Sequence, residues 1–320
     1  MTEFIADFLA EPVGRAIAVI YGLLIFASLV TFTLRKLSPS EGTSELCKRV
    51  VSWWWMISVF TVAILTTPLV STLFLGLVSF LALKEYFSLI PTRRVDRTVL
   101  LWAYLAVPAQ YALAYNGLYG LAMVFIPVWM FLWLPARITL KGNTDGFLRA
   151  VGTLSWGLMI CVFSLSHTAL LLKFGANHGV GAGALLFLVA LTQFNDVAQF
   201  TCGKLFGRHK IIPKVSPKKT WEGFLGGLVL STAAAAVFGP DLTPMDWRWS
   251  ALAGFIIALA GYLGDVTISA MKRDLGVKDA SNLIPGHGGI LDRVDSLIYA
   301  APVFFHFLNY FFGNWPAQPL

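Results

Sequence analysis

The chain has 320 residues, of which 57% are hydrophobic and 13% charged, and it carries a formal net charge of +7. Soluble domains hold roughly 25% charged and 45–50% apolar residues, so this composition excludes a soluble globular protein and points to a polytopic all-α membrane protein. Its three cysteines, Cys47, Cys161 and Cys202, have neither CxxC spacing nor an even count, which argues against a disulfide framework or a zinc site.

The first fourteen residues contain Glu3, Asp7 and Glu11 and no lysine or arginine, so the basic segment of a cleaved signal is missing. Apolar stretches long enough to span a bilayer, roughly 17–25 residues, recur at about 15–34, 50–68, 70–88, 99–115, 117–136, 149–172, 182–200, 222–239, 249–270 and 293–313. That gives about ten transmembrane helices. Thr66-Thr67-Pro68 is the expected break between the second and third, because proline disfavours helix at the residue before it. Tyr115-Asn116-Gly117 is the expected tight turn between the fourth and fifth.

The basic residues test this count. All of the 24 Lys and Arg except Arg15, Lys173 and Arg248 fall in alternate loops, at 35–50, 84–98, 136–149, 201–221 and 271–293. Under the positive-inside rule those loops are cytoplasmic, and both termini face outward. The positive charge is therefore mostly topological, and no basic stripe interleaved with aromatics suggests nucleic acid. Three regions follow: 1–48, a first membrane helix and cytoplasmic loop; 49–180, hydrophobic membrane helices; and 181–320, a catalytic membrane region with two site loops, 201–221 and 271–293. The first five spans show almost no polar constellation, so the chemistry is expected after Leu191.

Asp196, near the end of the seventh span, either reaches to water or faces a polar cavity. The next loop contains Gly203-Lys204, Gly207-Arg208 and the run Ser216-Pro217-Lys218-Lys219-Thr220-Trp221-Glu222-Gly223. It fits a phosphate-binding loop, although the glycines do not match a P-loop. Thr220 is placed to cap the eighth helix. Gly223, Gly226 and Gly227 allow close packing of that helix.

The densest charge lies between Gly264 and Asp295. Asp265, Ser269 and Lys272 share one helical face, and Asp265 with Ser269 offers hard oxygen ligands suited to Mg²⁺. Lys272 and Arg273 end the ninth span, where they either match the helix dipole or hold phosphate oxygens. Pro285-Gly286-His287-Gly288-Gly289 reads as a loop able to expose backbone donors, including that of Gly288, to an anion. His287 could contact phosphate or move a proton. Asp292 and Asp295 begin the tenth helix beside Arg293, while Asp274 and Asp279 have the weakest roles. Carboxylates, cations and a glycine loop at a membrane surface suggest metal-assisted phosphoryl or nucleotidyl transfer. An ion-coupled transporter is the competing class, but it would spread its acids through several spans.

From Ser269 to Asp295 the sequence SAMKR, four residues, KDASNLIPGHGGILDRVD resembles the signature of the phosphatidate cytidylyltransferase (CDP-diacylglycerol synthase) family, as do SPKKTWEG at 216–223 and the preceding GKxxGRxK. The resemblance implies conversion of CTP and phosphatidate to CDP-diacylglycerol and pyrophosphate with Mg²⁺, at the cytoplasmic face of a bacterial inner membrane. It implies Asp265 and Asp292 as metal ligands. It also implies Ser216, Ser269 and Asp295 around a second cation position that could hold K⁺, and Lys218, Lys219, Lys272, Arg273 and Arg293 on the phosphates, with His287 close by. Asp196 matches a family acid, and a homodimer is implied. Two departures, Ala198-Gln199-Phe200 after Asp196 and an additional N-terminal span, leave room for a relative that uses another lipid phosphate or serves a glycolipid pathway.

Overall fold

The computed structural model describes residues 7–38, 40–90, 97–142, 144–178, 181–284, 286 and 288–313, with backbone alone for 97, 98 and 174–178. Among these residues the fold is all-helical, with two isolated bridges, Lys210 to Thr220 and Ile284 to Gly288. After a helical segment at 7–10, ten helices run in chain order among the described residues. They are α1 Pro12–Leu37, α2 Glu41–Leu65, α3 Pro68–Leu89, α4 Arg97–Tyr115, α5 Tyr119–Thr139, α6, α7 Gly181–Phe206, α8 Trp221–Leu242, α9 Trp247–Asp274 and α10 Leu291–Phe312. The sixth, α6, joins Phe147–Leu158, the π-helical Met159–Ser164 and Leu165–His178, and α5 contains a π-helical stretch at Phe125–Met130.

The breaks fall where local chemistry puts them. Thr67 caps α3 and Pro68 occupies its first turn, where a missing N–H costs nothing. Gly117 takes a left-handed φ of 70° between α4 and α5. Thr220 caps α8 through its Oγ1, which accepts from Gly223 N at 3.2 Å. At the end of α9, Gly276 N donates to Arg273 O and Val277 N to Lys272 O, with Gly276 at φ 72°. This is a Schellman closure, and it fixes how the chain leaves the helix just after Lys272.

Eight of these helices are long and apolar enough to cross a membrane; the apolar part of α4, Val99–Tyr115, is shorter, and α10 carries Asp292, Arg293 and Asp295 near its start with His306 and Asn309 further on. The helices outrun the apolar stretches: α2 starts at Glu41, α7 continues to Phe206 and α9 to Asp274. The polar ends of these spans are thus helical too, and rigid helix carries Lys48, Arg49, Lys204, Lys272 and Arg273.

α7, α8, α9 and α10 pack successively against one another, while α3 and α6 pack on the other side of α10. Among the described residues α10 is a hub, burying Leu291, Val294, Ile298, Phe304, Phe305 and Leu308. Gly223, Gly226 and Gly227 of α8 face α7, where a Cβ would strike the backbone of Gln199 or the side chains of Cys202 and Gln199. Asn195 of α7 ties this layer together, accepting from Ser231 Oγ at 3.2 Å and donating to Ala258 O at 3.3 Å.

The ends of the bundle sort as the charge pattern requires. Arg15 at the start of α1 meets Asp241 at the end of α8, 3.9 Å apart. At the opposite end Gly286 lies against Lys48 and Arg49, so the start of α2 shares a face with the loop after α9.

Candidate active site

The C-terminal half of α9 carries Asp265, Ser269 and Lys272 on one face. Ser269 Oγ donates to Asp265 Oδ1 at 3.2 Å, as the i, i+4 spacing allows. The other oxygen of Asp265 receives Lys219 Nζ at 2.5 Å. Lys219 arrives from the loop before α8, which folds back as a narrow hairpin: Ile211 N donates to Lys219 O and Trp221 N to His209 O. Glu222, in the first turn of α8, locks its far side. Its carboxylate accepts Arg208 N at 3.0 Å and pairs with His209 Nδ1 at 2.6 Å. The loop therefore delivers one lysine inward by construction, and its neighbour Lys218 stays exposed.

Lys272 does not join Asp265. It is buried and reaches Asp292 Oδ1 at 2.6 Å. Asp292 Oδ2 accepts two backbone donors, Ala280 N at 2.8 Å and Gly289 N at 2.9 Å. A buried carboxylate must be paired and hydrogen-bonded to persist, and Asp292 satisfies both conditions by gathering the loop around itself. Gly288 makes this possible. It sits at φ +77°, and a Cβ there would lie 2.6 Å from Asp292 Oδ2.

A residue that sequence reasoning missed completes the loop. Glu85 of α3, only 7% exposed, accepts Ser281 Oγ at 2.7 Å and Ile290 N at 3.0 Å on Oε1, and Leu291 N at 2.8 Å on Oε2. Leu291 is the first residue of α10, and no side chain of α10 itself caps that end. Glu85 thus caps α10 from another helix, a favourable place for a carboxylate at the positive end of the helix dipole. The available signal was one acid, beside Lys84, at the end of a span, and an ionisable residue in a membrane helix is a candidate for function. The sequence leads one to expect almost no polar constellation in the first five spans, and Glu85 is a carboxylate contributed by the third.

Below these pairs lies a second group of acids. Ser296 Oγ donates to both oxygens of Asp196, at 3.2 and 3.1 Å, and Asp295 accepts Ser296 N at 2.8 Å. Asp196, Asp265 and Asp295, from α7, α9 and α10, lie within electrostatic range of one another, with Lys219, Lys272 and Arg293 as the nearby cations. Close backbone approach brings them together: a Cβ on Gly264 would collide with the Asp295 carbonyl. Arg293 Nε is buried there without a partner.

The N–H groups of Gly289, Ile290 and Leu291 point at Asp292 of α10 and Glu85 of α3, so these donors are taken by carboxylates of the neighbouring helices. Gly288 supports Asp292 sterically. Arg273 is exposed and donates to Val215 O and Val277 O, both at 3.2 Å, which clamps the two site loops together. Ser216 is half-buried in the turn, its carbonyl accepting Lys219 N at 3.2 Å. Pro285 and His287 lie outside the described residues.

Among the described residues no three His, Cys, Asp or Glu side chains are grouped to hold a metal ion alone. The donor chemistry nevertheless fits a hard divalent cation. Asp265, Asp292, Asp295 and Ser269 offer oxygens only, and the ammonium groups against Asp265 and Asp292 stand where positive charge is required. Mg²⁺ characteristically takes one or two carboxylates and completes its shell with water and phosphate.

Such a bundle, with lysine-paired carboxylates under two basic loops at one end, is that of a polytopic all-helical membrane protein. The chain belongs to the cytidylyltransferase family, whose sequence model matches residues 47–311, and is therefore a nucleotidyltransferase. It is 42% identical over 297 residues to the uncharacterized protein YnbB of Escherichia coli, covering 92% of this chain and 98% of that protein. It is 43% identical over 123 residues to a phosphatidate cytidylyltransferase of Mycobacterium leprae, covering 38% of this chain and 39% of that protein. With the phosphatidate cytidylyltransferase of Haemophilus influenzae the identity is 43% over 137 residues, 41% of this chain and 47% of that protein. The chain thus spans less than half the length of those two enzymes.

Proposed function

We propose that the protein transfers the cytidylyl group of CTP to the phosphate of phosphatidate, forming CDP-diacylglycerol and pyrophosphate. In this reaction an oxygen of the lipid phosphate bonds to the α-phosphorus of CTP. The bond from that phosphorus to the α–β bridging oxygen breaks, and pyrophosphate leaves with the electron pair. The lipid phosphate is already an anionic nucleophile, so no covalent enzyme intermediate is needed.

The observation that carries this reading is the pairing of Asp265 with Lys219 and Asp292 with Lys272. It puts carboxylates and ammonium groups side by side at the cluster of basic loops. Asp265 and Asp292 would hold Mg²⁺, with Asp295, Ser269 and Ser216 around a further cation such as K⁺. When bound, the divalent ion supplies neutralisation of phosphate charge. Lys219 and Lys272 bind phosphate oxygens, and Arg293, with its buried unpartnered Nε, does the same beside the acids. Lys218 attracts the nucleotide from solvent. Asp196 is held by Ser296 and orients Lys219 by charge. The positive-inside pattern supports a site facing the cytoplasm of a bacterial inner membrane, with a homodimer as the assembly.

A second reading has its own support. The long-range likeness is to YnbB, whereas likeness to the two phosphatidate cytidylyltransferases covers 38% and 41% of this chain. The same chemistry could serve another lipid phosphate. The test is purified protein in detergent with labelled CTP, Mg²⁺ and a panel of lipid phosphates. Phosphatidate should give the highest kcat/KM. A different preferred acceptor selects the second reading, and no CDP-lipid from any of them rejects both.

A further inference from the structure

Tyr262 has no place in the assignments above, yet it is built into the site. It lies in α9 one turn before Asp265, is 7% exposed, and its hydroxyl is buried without a hydrogen-bond partner. Buried polar groups left unpaired are rare, and each calls for a reason. The ring is held on two sides. Phe224 of α8 packs against it with centroids 4.5 Å apart, and Lys219 Nζ lies 4.6 Å above its centroid. The same ammonium is 2.5 Å from Asp265 Oδ2. Packing on both sides holds the ring, and its unpaired donor, in place.

What such a donor awaits follows from its surroundings. A buried, unpaired hydroxyl on a ring whose face carries an ammonium favours an anionic oxygen that both can reach, and charge-assisted hydrogen bonds are the strong ones. Depth selects which anion. At 1.5 Å of rise per residue, Tyr262 lies about 4.5 Å further from the loop end of α9 than Asp265. Leu225, Leu259 and Leu263 are exposed on the same two spanning helices, so the hydrocarbon side is the near approach and the nucleotide would enter from the loops.

We propose that the Tyr262 hydroxyl, with the Lys219 ammonium, forms the acceptor subsite that holds the phosphomonoester of the lipid substrate. This rests on the cytidylyl-transfer reading above. Tyr262 donates to a non-attacking phosphate oxygen while Lys219 exchanges Asp265 for the same phosphate. The free energy lost by leaving the hydroxyl unpaired in the empty protein is recovered when the lipid binds.

Tyr262→Phe in the full-length protein in detergent tests this, because it keeps the ring, its packing and the lysine contact and removes one oxygen. KM for dioctanoyl phosphatidate should rise about tenfold while KM for CTP changes by less than about twofold, and the substrate-free unfolding temperature should hold or rise. An unchanged lipid KM overturns the proposal, and so does a rise confined to CTP. Binding supplies a second readout. Dioctanoyl phosphatidate without CTP should raise the unfolding temperature of the native protein more than that of Tyr262→Phe, and equal shifts overturn the subsite. If Tyr262→Phe fails to fold, Tyr262→Gln should retain lipid affinity that Tyr262→Leu loses, and equal loss in the two overturns it. Absence of any CDP-lipid from the native protein rejects the transfer reading, while the thermal shift still decides whether Tyr262 binds a lipid phosphate.

Discussion

The carboxylate of Glu85 in α3 accepts the backbone N–H of Leu291, the first residue of α10, at 2.8 Å across 206 positions of sequence. Through this bond and those from Ile290 and Ser281, the front half of the chain sets the position of the loop that carries Asp292. Replacing Glu85 by Ala leaves the buried N–H of Leu291 and the partly buried N–H of Ile290 without an acceptor, at about 1–3 kcal/mol for the buried one. The expected result is faster hydrogen exchange at Ile290 and Leu291 and a loss of transfer activity of at least about tenfold, near the value of a lost helix cap. Glu85→Gln should fall between, since its amide keeps one acceptor and turns a donor toward the third partner. Unchanged exchange at both amides in Glu85→Ala would show that the cap does not hold the loop.

Lys272 and Asp292 form a buried pair, and removing one member strands the other. Asp292→Asn should cost about 3–5 kcal/mol of stability by leaving a buried ammonium unmatched. The double variant Lys272→Met with Asp292→Asn should regain most of that stability and none of the activity. Denaturation midpoints and turnover separate the two effects, and a double variant as unstable as the single would mean that the pair is not the source of the loss.

Neighbouring lysines should behave very differently. Lys219 is directed onto Asp265, whereas Lys218 is exposed. Lys219→Ala should reduce kcat by about a hundredfold or more, the scale of removing a donor that stabilises developing charge. Lys218→Ala should mainly raise KM for CTP by a few-fold, with an effect that shrinks as salt screens the field. Equal effects from the two would contradict the division of the SPKKTWEG loop.

Gly288 is required by both its backbone and its surroundings. Gly288→Ala imposes a left-handed φ on a residue with a Cβ, at about 1–2 kcal/mol, and drives that Cβ into the Asp292 carboxylate. Activity should fall more than stability does, because the displaced group is the carboxylate itself. Comparing thermal midpoints with kcat for this variant checks it.

Chelation of divalent cations should abolish transfer and readdition of Mg²⁺ should restore it. In Asp265→Asn the Mg²⁺ requirement should shift upward by about tenfold or more, as weakened metal ligation predicts. Full activity of the native protein in excess chelator would remove the metal from the mechanism.

Much of this was legible in sequence. Composition and the spacing of apolar runs set an all-helical membrane fold, because only hydrocarbon-length apolar segments survive in a bilayer. Thr67-Pro68, Asn116-Gly117 and Thr220 marked their boundaries, since proline, glycine and hydroxyl caps act on the backbone locally. The sorting of Lys and Arg predicted which ends of the helices meet, and the density of charge between Gly264 and Asp295 singled out the stretch that carries Asp265, Lys272 and Asp292. None of that required knowing which helices touch.

Only the tertiary structure decided the partners. Helical spacing correctly joined Asp265 to Ser269, but it gave Lys272 the same face without saying that its ammonium goes to Asp292. It could not show that the donors of the glycine loop are consumed by Asp292 and Glu85, nor that Arg273 clamps two loops through backbone carbonyls. Glu85 was hidden because its importance lies in groups about two hundred residues away, and Tyr262 because an unpaired hydroxyl is defined by what fails to surround it. A sequence records which side chains are available and the local backbone rules they obey. Which carboxylate receives which cation is set by helix packing around α10, where glycines such as Gly264 let backbones approach and burial leaves each charge few partners to choose from.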